Sequence, residues 1–391
     1  MMLWDNYVFR RGNDIHELWD TLFAQRPIRL LYLTGRGFDV RAQIAMKELV
    51  ANLKSAGRKV ANAELLLIEF VGYELDEELK TLTDENATEL HNIFSPLGGS
   101  DILTINSSLN GEEDVSASIA LGNGIKRVLD RITDQTDIVL DVSSMPRVVY
   151  LALLTSLLAR LVPNKKVETN NPHPLCSSGI NFQVLVAEDA WLDGNIRAED
   201  PSNDLVVIPG FSSALHAESV QDWPLVWFPL LGENRVSQLE KIITLAKIPE
   251  SAEICPVLPS PSRNLRRADN LIVEYARPLF DGGKTPITNI LYVHESNPFE
   301  AYRRLLRAMQ RYQNSMSILG GVRLVVSPLG SKLITLGAGM ACFEMKPADL
   351  DAKYGVALPH AEPTRYTASV EDLRQSKPEL SVLLLTGEAY L

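Results

Sequence analysis

Short apolar runs alternate with amphipathic stretches along most of the chain. After a short amphipathic helix over Asp14 to Phe23, the first apolar run is Leu30–Leu33. It stops at Thr34-Gly35-Arg36-Gly37-Phe38-Asp39, and a helical pattern then runs from Val40 to Ala56, with Ile44, Leu49, Val50 and Leu53 on one face. Leu65–Val71 is apolar apart from Glu69, as a strand covered on both faces of a parallel sheet must be. Asp76 to Phe94 reads as an acidic helix and Asp101–Ile105 as a strand. Ser116–Ile132 reads as a helix weakened by Gly122 and Gly124. Ile138–Val142 is a fourth strand, and Pro146 suits the first turn of an apolar helix that ends near Leu161. Asn181–Ala187 is a fifth strand.

Residues 163–180 read as a loop inside this series, and the polar stretch 188–203, with Gly194 and Pro201, as its boundary. A second series follows. Its strands are Leu205–Ile208, Leu225–Phe228, Ile254–Leu258, Ile290–Val293 and Val322–Val326; its helices are Arg235–Ala246, Arg267–Phe280, Phe299–Asn314 and Lys332–Gly339. Ala341–Met345 and Val356–Leu358 read as further strands, and Leu380–Leu385 as a closing edge strand. Such alternation predicts an α/β protein with mostly parallel sheets and right-handed crossovers. The chain reads as two Rossmann-like units, a ligand-binding one over roughly 1–195 and another over 204–391.

The totals narrow the function classes. The chain has 391 residues, of which 46% are hydrophobic and 22% charged, enough for full cores. A net charge of −11 argues against a general nucleic-acid surface, which has to be cationic. Three cysteines, Cys176, Cys255 and Cys342, lie far apart and form no metal-type spacing; they fit a reducing, cytoplasmic setting. The polar N-terminal stretch has no apolar signal core. The longest apolar run, Val148 to Leu158, is too short to span a bilayer.

The candidate chemistry sits in strand-end loops. If the first strand is central, the fourth lies beside it where the strand order reverses, the favoured place for a ligand. The polar loops after those strands, Gly35–Asp39 and Asp141–Arg147, then share one crevice. Glycines Gly35 and Gly37 allow close backbone approach. Arg36 and Arg147 suit a phosphate or carboxylate, and Asp39 or Asp141 a sugar hydroxyl. Ser143 and Ser144 add donors at a helix start, where anions are favoured. A nucleotide-like anion fits best. The same residues also serve as a tight turn, N-caps and internal ion pairs, and that alternative stays open. The run matches neither the dinucleotide fingerprint nor a Walker loop.

The second unit offers comparable loops. Gly330-Ser331-Lys332 opens a helix, so Ser331 and Lys332 can hold an anion or merely cap a turn. Glu233 and Glu295, with His294, suit general acid–base work in a cleft, as Asp141 does in the first unit; pairing with Arg235 and Arg263 is the alternative. Arg303, Arg307 and Arg311 form a cationic stripe opposite Phe299, Tyr302, Leu305, Leu306 and Met309. The stripe is either a solvated face or a docking surface for an acidic partner or a local stretch of nucleic acid.

With Gly35-Arg36-Gly37-Phe38-Asp39 near the start and Gly330-Ser331-Lys332 opening a later helix, the chain resembles the Rossmann-like proteins of prokaryotic antiviral systems, in particular CARF-type nucleotide sensors. In those sensors a Gly-Thr-Lys loop touches the ligand. Here the middle residue is Ser, the two loops fall in different units, and no nuclease domain follows. The resemblance implies a dimer that binds a signalling nucleotide in defence. The expectation is therefore a nucleotide-binding sensor or subunit of a defence assembly. The alternatives are an enzyme of nucleotide metabolism, an N-glycosidase or phosphoester hydrolase, and a structural partner of an ATPase or nuclease.

Overall fold

The computed structural model describes residues 1–24, 26–55, 57–106, 117–168, 171–216, 220–349 and 352–391. Ala56 and Ser116, the expected ends of two helices, lie outside them. The chain folds as two compact units, residues 1–115, 120–197 and 366–391, and residues 116–119 and 198–365.

Unit 1 is a seven-stranded sheet with helices packed on it. Its strands are β1 (Val8–Arg11), β2 (Ile28–Gly35), β3 (Val60–Val71), β4 (Gly99–Asn106), β5 (Asp137–Asp141), β6 (Asn181–Glu188) and a strand from near the chain's end, Glu379–Thr386. Its helices are α1 (Asp14–Leu22), α2 (Arg41–Ser55), α3 (Glu77–Phe94), α4 (Ala117–Leu129), α5 (Arg147–Leu161) and α6 (Ala190–Asn195). β2 pairs in parallel with β3 on one side and β5 on the other, with Thr34 opposite Asp141. β4 and β6 extend the sheet in parallel outside them. The five core strands therefore run third, second, first, fourth, fifth, and the order reverses between β2 and β5. α5 begins directly after Pro146, as its fixed backbone angle favours, and its apolar faces are buried almost all round.

Unit 2 follows the same plan. Its strands are β7 (Arg197–Ser212), β8 (Leu225–Leu230), β9 (Glu253–Ile254), β10 (Val257–Pro259), β11 (Leu291–Val293), β12 (Val322–Pro328) and β13 (Tyr354–Thr367), which makes Glu379–Thr386 β14. Its helices are α7 (Ser213–His216), α8 (Val236–Leu245), α9 (Arg267–Glu274), α10 (Pro298–Met316) and α11 (Lys332–Met345). β8 lies in parallel between β10 and β12; β11 extends one side and β13 the other. From β8 onward the order is again third, second, first, fourth, fifth, with the reversal between β8 and β12. Trp227, Leu231, Leu239, Leu258 and Leu329 pack in the core on one side of this sheet.

The α/β class with two mostly parallel sheets is as expected, and the division between the units after Arg197 falls inside the expected boundary, 188–203, which itself carries α6 and the start of β7. Three local features differ. Lys332–Met345 is one helix rather than a helix and a strand, because a run that is apolar on every side loses its periodicity. The strand β1 carries no alternation that marks it in the sequence. Finally, β14 does not close the second sheet. It lies antiparallel between β1 and β6 in the first.

Candidate functional site

The gap between β2 and β5 brings the two predicted loops of unit 1 together. The Ser144 hydroxyl donates to the Gly35 carbonyl at 2.9 Å. A Cβ on Gly35 would stand 2.7 Å from the Ser144 carbonyl oxygen, and one on Gly37 3.0 Å from the same atom. Gly35 thus admits a glycine alone because a neighbouring backbone lies against it, and Gly37 leaves a side chain little room. Beneath the loops, the fully buried Asp141 accepts from the Tyr32 hydroxyl at 3.0 Å and from the Ser143 amide at 2.9 Å. Burial, then the Asp141 charge, push the Tyr32 hydroxyl well above its ordinary pKa, so it stays a donor. Ser143 Oγ accepts from the Ala187 amide at 3.0 Å, tying this loop to β6. Asp141 is thereby a structural acceptor at the strand end, with both oxygens engaged.

The loop after β2 is satisfied from within. Asp39 grips Arg41 through both oxygens, at 2.9 and 2.6 Å, and Asp193 of α6 meets the same guanidinium at 2.7 Å. Burial alone would lower the Arg41 pKa; the carboxylates outweigh it and hold the pKa above its ordinary value. Asn86 of α3, 1% exposed, donates to the Gly37 and Asp39 carbonyls at 2.7 and 3.3 Å.

Arg36 turns away from β5. Its guanidinium binds Glu69 of β3 and, at 2.6 Å, Asp84 of α3, both on the far side of β2. The expected joint grip of Arg36 with Arg147, which opens α5, is thus not the arrangement Arg36 adopts, because two carboxylates compete for it. Glu69 is itself the residue the sequence passed over. It follows Ile68, the register partner of Gly35, and its other oxygen accepts from the Thr104 hydroxyl at 2.8 Å. Its signal was a single carboxylate at the end of an otherwise apolar second strand. Thr34 was also missed: it is fully buried, and its hydroxyl has no hydrogen-bond partner among the described residues.

In unit 2, Glu233 and Glu295 come together, on Arg267. Arg267 holds Glu233 through two nitrogens, at 2.6 and 2.9 Å, and Glu295 at 3.0 Å. Glu295 also accepts from the Arg263 amide at 2.7 Å. Burial would raise the Glu233 pKa, yet the bonds from Arg267 bring it below its ordinary value. A carboxylate so held is a poor proton carrier at neutral pH. His294 Nδ1 accepts from the Ser296 amide at 3.2 Å, a turn contact rather than a partnership with either glutamate.

The predicted Gly330-Ser331-Lys332 loop does lie at the switch point of unit 2. A Cβ on Gly232, after β8, would stand 2.4 Å from the Leu329 carbonyl oxygen. The two units therefore mark the same topological position with the same device, a glycine against the backbone that follows the fourth strand. His360 lies in β13, 2% exposed, with its Nε2 3.4 Å from an oxygen of Glu362. It stands three residues past Ala357 as Pro328 stands three past its partner Val325, so this pair sits at the carboxyl edge of the sheet. Its signal, a His-x-Glu alternation after an apolar run, was hidden by Pro359.

On α10, Phe299, Tyr302, Leu305, Leu306 and Met309 are buried as expected; of the cationic stripe, Arg307 and Arg311 are exposed and Arg303 is half-buried. Among the described residues no group of three or more His, Cys, Asp or Glu is placed to hold a metal ion, and no helix is long and apolar enough to cross a membrane.

No family model matches the chain, and no curated protein sequence does. Among solved structures, it is similar to a protein assigned as a UDP-N-acetylglucosamine 2-epimerase from Listeria monocytogenes, at 13% identity over 85% of this chain and 93% of that one, with a TM-score of 0.23. It is also similar to HepE of Anabaena, solved with UDP and glucose, at 10% identity over 78% and 81% of the two chains, with a TM-score of 0.17. Overlaps this low carry no argument about ligand or activity.

Proposed function

We propose that unit 1 binds a nucleotide-like anionic ligand at the carboxyl edge of its sheet, between β2 and β5. The observation that carries this is the topology together with the loop contact: the strand order reverses there, and Gly35 lies against Ser144 at the reversal. The phosphate goes to the start of α5, which no side chain caps and which Arg147 opens. The Thr34 hydroxyl, at the end of the first core strand, faces a sugar hydroxyl of such a ligand, and Glu69 joins it only once Arg36 has left. Arg36 joins the phosphate only by leaving Glu69 and Asp84. Asp39, committed to Arg41, shapes the loop and takes no ligand. The narrower reading, a sensor or subunit of a prokaryotic defence assembly acting as a homo-oligomer or beside an ATPase or nuclease, rests on the loop resemblance to CARF-type sensors. The acid–base alternative has less support, since Asp141, Glu233 and Glu295 are all committed to internal partners.

The test is thermal stabilisation by a panel of mono-, di-, cyclic and sugar-linked nucleotides. A ligand at a hundredfold excess over Kd stabilises by about 2.7 kcal/mol. The Arg36→Ala, Arg147→Ala double variant abolishes the shift if the reading holds. A shift that survives in the variant, or no shift with any member of the panel, overturns it.

A further inference from the structure

We infer that unit 2 carries its own ligand site at the β8–β12 switch point, and that it takes a phosphate ester with a neighbouring hydroxyl, such as a sugar phosphate. Two helices, α8 and α11, begin at this point; the Glu274 carboxylate accepts from the Asn234 amide just ahead of α8 at 2.8 Å, whereas Ser331 makes no cap bond at the start of α11. The first amides of α11 are thus disposed toward an anion, and Lys332 is its first residue. Uncapped helix starts alone are common. Here two buried polar atoms single the place out.

The first is the amide of Gln238, in the opening turn of α8. Gln238 is 2% exposed, and its Oε1 has no hydrogen-bond partner among the described residues. Its neighbours on the buried face, Leu239 and Ile242, pack in the apolar core. Long side chains on a helix reach back toward its N-terminus, which directs this amide to the Gly232 loop rather than along the sheet. An acceptor left unsatisfied in such surroundings is costly, and a ligand hydroxyl satisfies it. The second is Ser331, the residue before α11, whose buried hydroxyl likewise has no hydrogen-bond partner. It can donate to a phosphate oxygen.

The backbone geometry fits this division. Gly232 brings the start of α8 against Leu329 and Gly330, so the amide acceptor and the anion-binding helix start flank one backbone contact. Glu233, the nearest carboxylate in sequence, is turned to Arg267 and held there through two nitrogens. The inference is independent of the reading of unit 1, since it rests on different residues.

The experiment measures binding of inorganic phosphate and of ribose 5-phosphate to the full chain by calorimetry. It is done in the Arg36→Ala, Arg147→Ala background so that unit 1 contributes nothing. The expected result has three parts. The background variant binds both probes. Ser331→Ala with Lys332→Ala weakens both about tenfold or more, as the loss of charge-assisted bonds does. Gln238→Leu weakens ribose 5-phosphate alone. Because Gln238→Leu removes an unsatisfied oxygen from an apolar setting, the protein keeps its fold. Should it fail to fold, the partly exposed Ser331 and Lys332 positions still decide the matter. No binding in the background variant overturns the inference. So does binding that the Ser331 and Lys332 changes leave intact, or an equal loss of both probes on Gln238→Leu.

Discussion

Removing one member of the Asp39–Arg41 pair measures what the loop after β2 is for. Arg41 is 1% exposed at its side chain, Asp39 9% and Asp193 37%, so the central pair is dry and the outer contact half-wet. Breaking a buried ion pair by deleting one partner costs about 3–5 kcal/mol, because a charge is stranded. In Asp39→Leu the Arg41 guanidinium keeps Asp193, which places the cost near the lower end, about 3 kcal/mol. For a unit of this size that lowers Tm by about 6–12 °C. Arg41→Met takes the guanidinium from Asp39 and leaves the amide of residue 41 on it, at 3.1 Å. Its cost falls in the same range. The double variant removes both charges and should cost less than either single one, as paired apolar replacements of buried ion pairs do. Calorimetry is the assay, because two units give transitions that need separate fitting. Strictly additive costs would refute the claim that the two side chains form one closed unit. A loss of nucleotide stabilisation in a double variant of native stability would return Asp39 to the ligand site.

Further outcomes follow from the same geometry. Gly232→Ala should destabilise unit 2 by about 1–3 kcal/mol, since backbone on both sides must part, whereas Gly330→Ala should be near neutral. The nearest atom to a Cβ at Gly330 is 3.5 Å away. Urea titration of the two variants separates them, and equal costs would defeat the argument. The folded pKa of Glu233 lies below its ordinary value of 4.5, so its stabilisation is complete above that value and lost as pH falls through the folded pKa. The urea midpoint should therefore drop more between about pH 6 and about pH 3 in the wild type than in Glu233→Gln. Cys342 is fully buried, and burial raises its thiol pKa beyond any reactive range; burial pushes Cys255 up to about 11. A thiol reagent should thus label the partly exposed Cys176 first, and simultaneous labelling of all three cysteines would contradict this. Arg307→Glu with Arg311→Glu should change the stability read from a urea titration by no more than exposed substitutions do, each within about 0.5 kcal/mol, because neither makes an ion pair among the described residues.

What the sequence revealed was the part that periodicity writes. Leu30–Leu33 and Ile138–Val142 could be placed side by side before any coordinates, because helices between apolar runs force parallel strands and short crossovers. That placement brought Gly35 and Ser144 into one loop contact. It did not reveal where Arg36 would point. Arg36 and Glu69 are neighbours only through the pairing of β2 with β3, and an ion pair of that range leaves no local pattern. Arg41 and Asp39 are two residues apart and were separable only by burial: read as surface, Asp39 was free for a ligand; buried, it belongs to Arg41. The helix Lys332–Met345 was cut in two because it is buried on every side from Leu333 to Phe343 and so shows no helical period. β14 could not be assigned to a sheet, since edge positions depend on which strands are left unpaired rather than on residue type.

The position of β14 bears on how the chain is made. Everything between residues 198 and 365 that builds the second sheet is contiguous, so that sheet can close while the ribosome is still adding the remainder. The first sheet cannot. β1 and β6 are synthesised early, and each must wait with an unpaired edge until residues 379–386 emerge to lie between them. The unit that comes first in the sequence is therefore the last to be completed. Through that interval its open edges are the part of the nascent chain most exposed to wrong pairing.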